Sequence, residues 1–180
     1  MMNFTEKTVS QEEKYHGILV NIRLDQIELP NGKPALREVC EHCGGVGVLP
    51  IDGEGNVILV RQHRYAYHLD ILEIPAGKMD HGSEDHRACG IRELKEETGC
   101  TADEIYYLGE MYPSPGFLEE IAYLYAAKGL TYGECQPDED EFVEHVKLPI
   151  AEVEKMILDG TIKDAKTIAA MYRARLAGLL

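Results

Sequence analysis

The chain has 180 residues, with 18 basic against 32 acidic side chains and a net charge of -14, a length that suits one domain with a real core. Its 44% apolar and 28% charged content is that of a globular protein, and so acidic a surface repels phosphate backbones and anionic lipid. Nucleic acid and membrane are thereby excluded as primary partners, no apolar run reaches a membrane span, and the polar start "MMNFTEKTVSQEEKY" is no secretion signal, so a cytoplasmic protein is expected.

Residues 17–29, "GILVNIRLDQIEL", alternate apolar and polar, which predicts a strand after a polar lead. "PNGK" reads as a turn, with Asn31-Gly32 suited to positive φ, and "ALREVCEH" returns as its partner. The first 42 residues are thus expected to form a β-hairpin unit, and residues 43–180 the main domain. "GGVGVLPID" and "NVILVRQHRY", joined by "DGEG", read as a second hairpin, and "DILEIPAG" as a short strand ending at Pro75. From Ser83 to Thr98 the pattern turns helical, with Ser83 as N-cap, Glu84 and Asp85 in the first turn and Gly99 as the stop. "EIYYLGEMY" and "EEIAYLYAAKGL" follow as strands around the loop "PSPGF"; then come an acidic loop, "GECQPDEDEF", a last strand, "VEHVKLPI", and two helices. Strands interrupted irregularly by a few helices predict a mixed sheet covered by helices.

The five cysteines are odd in number. The single C-x-x-C, Cys40 and Cys43, lacks the second pair a zinc ribbon needs, so reduced thiols at a strand end are expected.

The helix carries the chemistry. At about 100° per residue, Glu93, Glu96 and Glu97 share one face, while Ala88, Ile91 and Leu94 fall opposite and are expected to pack on the sheet. Like charges four apart cost an isolated helix only a few tenths of a kcal/mol, so the stripe reads either as a solvated face or as a cation site. The preceding "EIPAG" and its loop can bring main-chain carbonyls to the same point, and hard cations such as Mg²⁺ take such oxygen ligands. Cys89 and Gly90, both small, are expected to leave room above the acids.

"GKMDHGSEDHRACGIRELKEETGC" resembles the Nudix box, G-x5-E-x7-R-E-U-x-E-E-x-G-U with U apolar. It departs in one place: six residues, not five, separate Gly77 from Glu84. The resemblance implies an α/β/α sandwich and hydrolysis of a nucleoside diphosphate linked to another group. It also implies metal ligands at Glu93, Glu97 and Glu96 and the carbonyl of Ala76, for Mg²⁺ with Mn²⁺ as the alternative. Glu84 and Arg92 match the box's internal ion pair.

Beyond the box, "VRQHRYAYHLDILEIPAGK", "SPGF" with Pro115, "DEDEFVE" and the "DAKT" of the terminal helix are similar to the ADP-ribose pyrophosphatase branch. That implies a small nucleoside diphosphate sugar as substrate, with AMP and ribose 5-phosphate as products. The catalytic base would come from "DEDEF", with Glu141 first and Glu139 second. Arg64 matches an arginine that holds the diphosphate; Arg61 is the weaker candidate, and Glu73 matches a position near metal or ribose. Tyr15 or Phe4 could stack on adenine. The branch is usually a homodimer joined through its N-terminal strands, and an isolated hairpin is marginal in water, which independently favours an interface. A pyrophosphatase for another nucleotide sugar such as GDP-mannose, and a catalytically silent ADP-ribose sensor, are the competing readings.

Overall fold

Asp52 turns the chain between two sheets, and the main architecture follows from that corner. The structure, a computed structural model, describes residues 2–79, 85–136 and 142–180. The chain divides into two compact units, Met1–Gly44 with Tyr112–Glu120, and Gly45–Met111 with Ile121–Leu180.

The first unit is an antiparallel three-stranded meander, β1 (Lys7–His16), β2 (Asn21–Glu28) and β3 (Pro34–Glu41). The lead expected to be merely polar is itself a strand: β1 pairs along β2 from Lys7↔Glu28 to His16↔Asn21. Its sequence, KTVSQEEKYH, has no apolar alternation because every residue of it is exposed. Gly32, at φ 79°, makes the β2–β3 turn; Asn31 does not share its positive φ. The end of β3 is held by 117–119, with Cys40 N–H donating to Phe117 O at 2.8 Å and Glu119 N–H to Cys40 O at 2.9 Å. Arg23 gathers Asp25, Glu41 and Glu119 around one guanidinium.

In the second unit β4 (Gly45–Pro50) and β5 (Asn56–Arg64) do not form the expected hairpin. They share a lone bridge, Ile51↔Val57, and then enter different sheets. β4 lies between β7 (Ala76–Lys78) and β9 (Ala122–Tyr132), with β8 (Cys100–Met111) outermost; β5 lies between β10 (Val143–Pro149) and β6 (Leu69–Glu73). The β4–β9 pair is parallel and the others antiparallel, so the sheet is mixed. All of β4 is buried, which explains its unbroken apolar run. At the corner, the Asp52 carboxylate accepts from Glu54 N–H and Asn56 N–H at 2.9 and 2.8 Å and pairs with Lys147 at 2.6 Å.

Burial works to raise the Asp52 pKa, but Lys147 and the Asn56 and Glu54 donors outweigh it and hold the carboxyl well below its ordinary value. A depressed folded pKa means this stabilisation is complete above the unfolded value, about 3.9, and is lost as pH falls below it. Asp52→Asn is therefore expected to lower the thermal midpoint at pH 7 and to shrink the further loss between about pH 4 and pH 2. Melting curves across that range check it; an unchanged slope would remove Asp52 as a contributor.

Alternate residues of the strands feed two cores. Leu49, Leu59, Leu124 and Ala126 face α2 (Ile150–Leu158) and α3 (Ala165–Leu176) through Val153, Ala170, Met171 and Ala174. Val46, Val48, Ile58, Tyr125 and Ala127 face α1 (His86–Thr98) through Cys89 and Leu94. Helices on both faces of mixed sheets make the α/β/α sandwich that the sequence resemblance implies.

Two details of α1 differ from expectation. Its N-cap is Asp85, whose side chain accepts from Ala88 N–H, whereas Ser83 and Glu84 lie outside the described residues. Its inward face is not Ala88, Ile91 and Leu94: Ala88 and Ile91 are exposed, and Cys89, Gly90, Glu93, Leu94, Glu97 and Thr98 are buried. Gly99 ends the helix at φ 69°, as the sequence suggests.

Candidate active site

Two of the three glutamates point into the protein. Glu93 is 7% and Glu97 2% exposed, so the solvated-face reading of the stripe is excluded for them. They lie one turn apart and face β7. Ala76 N–H donates to Glu97 Oε2 at 2.9 Å. At Gly77 an added Cβ would stand 1.9 Å from Glu93 Oε1, so the helix meets the strand where only hydrogen fits. Gly90 likewise leaves no ligand space: its Cβ would touch Val46 and Val48 at 3.0 Å, and its absence seats α1 on β4. Glu96 is half-buried, and Arg92 bridges to Glu93 at 2.9 Å and to Glu96 at 2.8 Å.

Glu84, Glu139 and Glu141 lie outside the described residues. Among the described residues no three His, Cys, Asp or Glu side chains form a metal-holding group. Even so, two buried carboxylates beside β7 are hard oxygen donors of the kind a divalent cation takes. The donor set fits such an ion.

Arg64 and Glu73 meet each other. Arg64 Nε and Nη2 donate to the two oxygens of Glu73 at 2.7 and 2.8 Å, a fork on a carboxylate that is 1% exposed. Burial opposes the Arg64 charge, but Glu73, Asp164 and Glu97 together raise its pKa above the ordinary arginine value. Lys166, at the start of α3, also pairs with Glu73. Arg61 is exposed and pairs with Glu144 on the neighbouring strand.

Other residues have no site role in the sequence reading. His86, the first residue of α1, stacks on Tyr123 with ring centres 4.2 Å apart and planes at 4°, and bonds to the Tyr125 hydroxyl. This pins the start of the helix to β9; burial, chiefly, pushes the Tyr125 hydroxyl up to about 12. Asp164 and Thr167 sit in "DAKT", where the D-x-x-T spacing of a helix cap was a readable signal. Tyr15 and Phe4 are both exposed.

A helix with inward carboxylates, packed on the short strand β7 inside an α/β/α sandwich, is the arrangement of a class of metal-assisted hydrolases. The NUDIX domain model matches residues 41–171, and the chain belongs to the Nudix family. It is 41% identical over 175 residues to a methanol dehydrogenase activator of Bacillus methanolicus, covering 96% of this chain and 94% of that one. It is 38% identical to an ADP-ribose pyrophosphatase of Bacillus subtilis (strain 168), covering 98% and 96%. A GDP-mannose pyrophosphatase of Yersinia enterocolitica is 37% identical, covering 81% and 80%. A crystal structure of an ADP compounds hydrolase superposes with a TM-score of 0.83 at 22% identity, covering 97% of this chain and 95% of that one, and supports the fold. Nudix hydrolases in general require a divalent metal. Among the described residues no helix is long and apolar enough to cross a membrane.

Proposed function

We propose that this chain hydrolyses the pyrophosphate of ADP-ribose, giving AMP and ribose 5-phosphate, with Mg²⁺ as its metal. The observation that carries the reading is the burial of Glu93 and Glu97 against Ala76 and Gly77. A bound divalent cation would withdraw charge from the pyrophosphate oxygens and acidify a water. Glu93 and Glu97 would hold it, with Glu96 and the Ala76 carbonyl as further donors. Glu141, or Glu139 in its place, orients the water and takes its proton. Arg92 keeps Glu93 and Glu96 in place, and the family resemblance assigns it Glu84 as an ion-pair partner. Arg64 bonds the diphosphate while anchored on Glu73, and Arg61, exposed and paired with Glu144, is the weaker candidate.

We further propose that the chain acts as a homodimer, joined through its N-terminal strands. The meander at the N-terminus exposes Val9, Tyr15, Ile18, Leu19 and Leu36, which supports a second copy as its cover. Five cysteines without a disulfide support a reducing compartment, the cytoplasm.

A screen of nucleoside diphosphate sugars with Mg²⁺, reading phosphate released after phosphatase, tests the substrate. ADP-ribose turnover well above the others is expected. A preference for GDP-mannose would replace the substrate, and binding without turnover would mean a sensor. Glu141→Gln should depress kcat with little change in the Mg²⁺ needed for half-maximal rate; a raised requirement would make Glu141 a ligand and move the base to Glu139. Arg64→Ala is expected to raise KM about tenfold through a lost charge-assisted contact. It also leaves buried Glu73 to Lys166 alone, so the thermal midpoint falls with it. Arg64→Lys should recover part of KM and Arg61→Ala should change it little; a larger effect at Arg61 would reverse the assignment. The likeness to the methanol dehydrogenase activator supports a second reading, action on a dehydrogenase, tested by adding the chain to a methanol dehydrogenase assay.

A further inference from the structure

The stretch from Glu73 to Gly77 is gripped at each successive residue, and much of the grip comes from a helix far along the chain. Glu73 is held by Lys166 as well as by Arg64. The Ile74 N–H donates to Thr167 Oγ1 at 2.8 Å. The Pro75 carbonyl accepts from Val48 N–H at 2.9 Å. The Ala76 N–H reaches Glu97 Oε2, and Gly77 closes on Glu93.

Thr167 is fully buried. Its hydroxyl donates to Asp164 Oδ2 at 2.6 Å, so it presents a lone pair to Ile74. Asp164 is the N-cap of α3, accepting from Thr167 N–H at 2.9 Å, and it also pairs with Lys166 at 3.0 Å. One capped helical turn thus supplies an acceptor to Ile74 and a cation to Glu73. Two residues further on, the same strand end presents Ala76 to the acidic helix.

We propose that the first turn of α3, through Thr167 and Lys166, is a positioning element that sets Ala76 and Gly77 against Glu97 and Glu93 and so fixes the divalent-cation site. The inference rests on the reading of that site as a metal centre. Removing the Thr167 hydroxyl leaves the Ile74 N–H without that acceptor, while Asp164 Oδ2 keeps the Thr167 N–H. The strand end then shifts to find another, and the shift reaches the carboxylates through the Ala76–Glu97 bond.

The test is Mn²⁺ binding to the intact protein without nucleotide, read by electron paramagnetic resonance of the free ion. Thr167→Val is expected to raise the Mn²⁺ Kd about tenfold, the low end of the effect usual for residues that orient metal ligands. Thr167→Ser, which keeps the hydroxyl, should stay within about twofold of the parent. Lys166→Met, on a partly exposed side chain, is expected to raise Kd in the same direction and serves if Thr167→Val does not fold. In turnover by Thr167→Val, kcat and the Mg²⁺ requirement should change and KM should not. A Thr167→Val or Lys166→Met protein that melts lower but binds Mn²⁺ as the parent does would reduce the turn to a structural role and overturn the proposal. A parent that binds Mn²⁺ yet ignores ADP-ribose would sink the substrate reading alone.

Discussion

Glu97→Gln is expected to lower kcat by at least about a hundredfold, since a lost ligand removes transition-state stabilisation worth several kcal/mol. The amide keeps the volume of a side chain that is 2% exposed, and its carbonyl oxygen can still accept from Ala76 N–H. The fold should therefore survive, with a thermal midpoint close to the parent's. Steady-state kinetics over a range of Mg²⁺ check it: the requirement should rise together with the loss of kcat. Near-normal turnover at limiting Mg²⁺ would remove Glu97 from the metal site.

Gly77→Ala is the second large effect, and it arises from one methyl group. The new carbon would fall 1.9 Å from Glu93 Oε1 and 2.5 Å from Oε2, so the carboxylate must leave its place. Glu93 is buried and already engaged by Arg92, which leaves it few alternatives. Displacing a site group by an ångström can cost about a hundredfold in rate, and we expect kcat to fall by that order. Gly77 has no left-handed backbone angle to lose, so the cause would be steric. Activity near the parent's would show that Glu93 can move without consequence, contrary to a ligand role.

The sequence made the strands and the terminal helices legible through periodicity, and the acidic stripe through fixed spacing. It misled where its rules assume that charge faces water. Helical arithmetic put Glu93, Glu96 and Glu97 on one face correctly, but assigned the packed face to Ala88 and Ile91 because they are apolar. The inward side carries the carboxylates because α1 packs on β4 and on Ala76–Gly77 of β7. The "DGEG" segment between two apolar runs resembled a hairpin because turn chemistry is the same whether the chain returns beside itself or crosses to another sheet. Strand β1 was invisible because nothing on it is buried. Lys166 joins the Arg64–Glu73 pair from a helix 93 residues beyond Glu73, and no local pattern records such a meeting.

The parallel pairing of β4 with β9 has a consequence for how the molecule comes to exist. During synthesis β4 emerges early, with an apolar surface on both faces and one backbone edge that only β9 can cover, from Gly45↔Ala122 to Pro50↔Ala127. The antiparallel neighbour β7 arrives first, but it pairs with only the first half of β4, Gly45 to Gly47. Until Ala122–Ala127 leaves the ribosome, the second half of β4, Val48 to Pro50, has no strand partner on either side. Pairings between segments so far apart close slowly, and an uncovered apolar edge is a template for other chains. The strand at the centre of its sheet is thus an aggregation hazard of the nascent chain, and it awaits a partner made after the whole acidic helix.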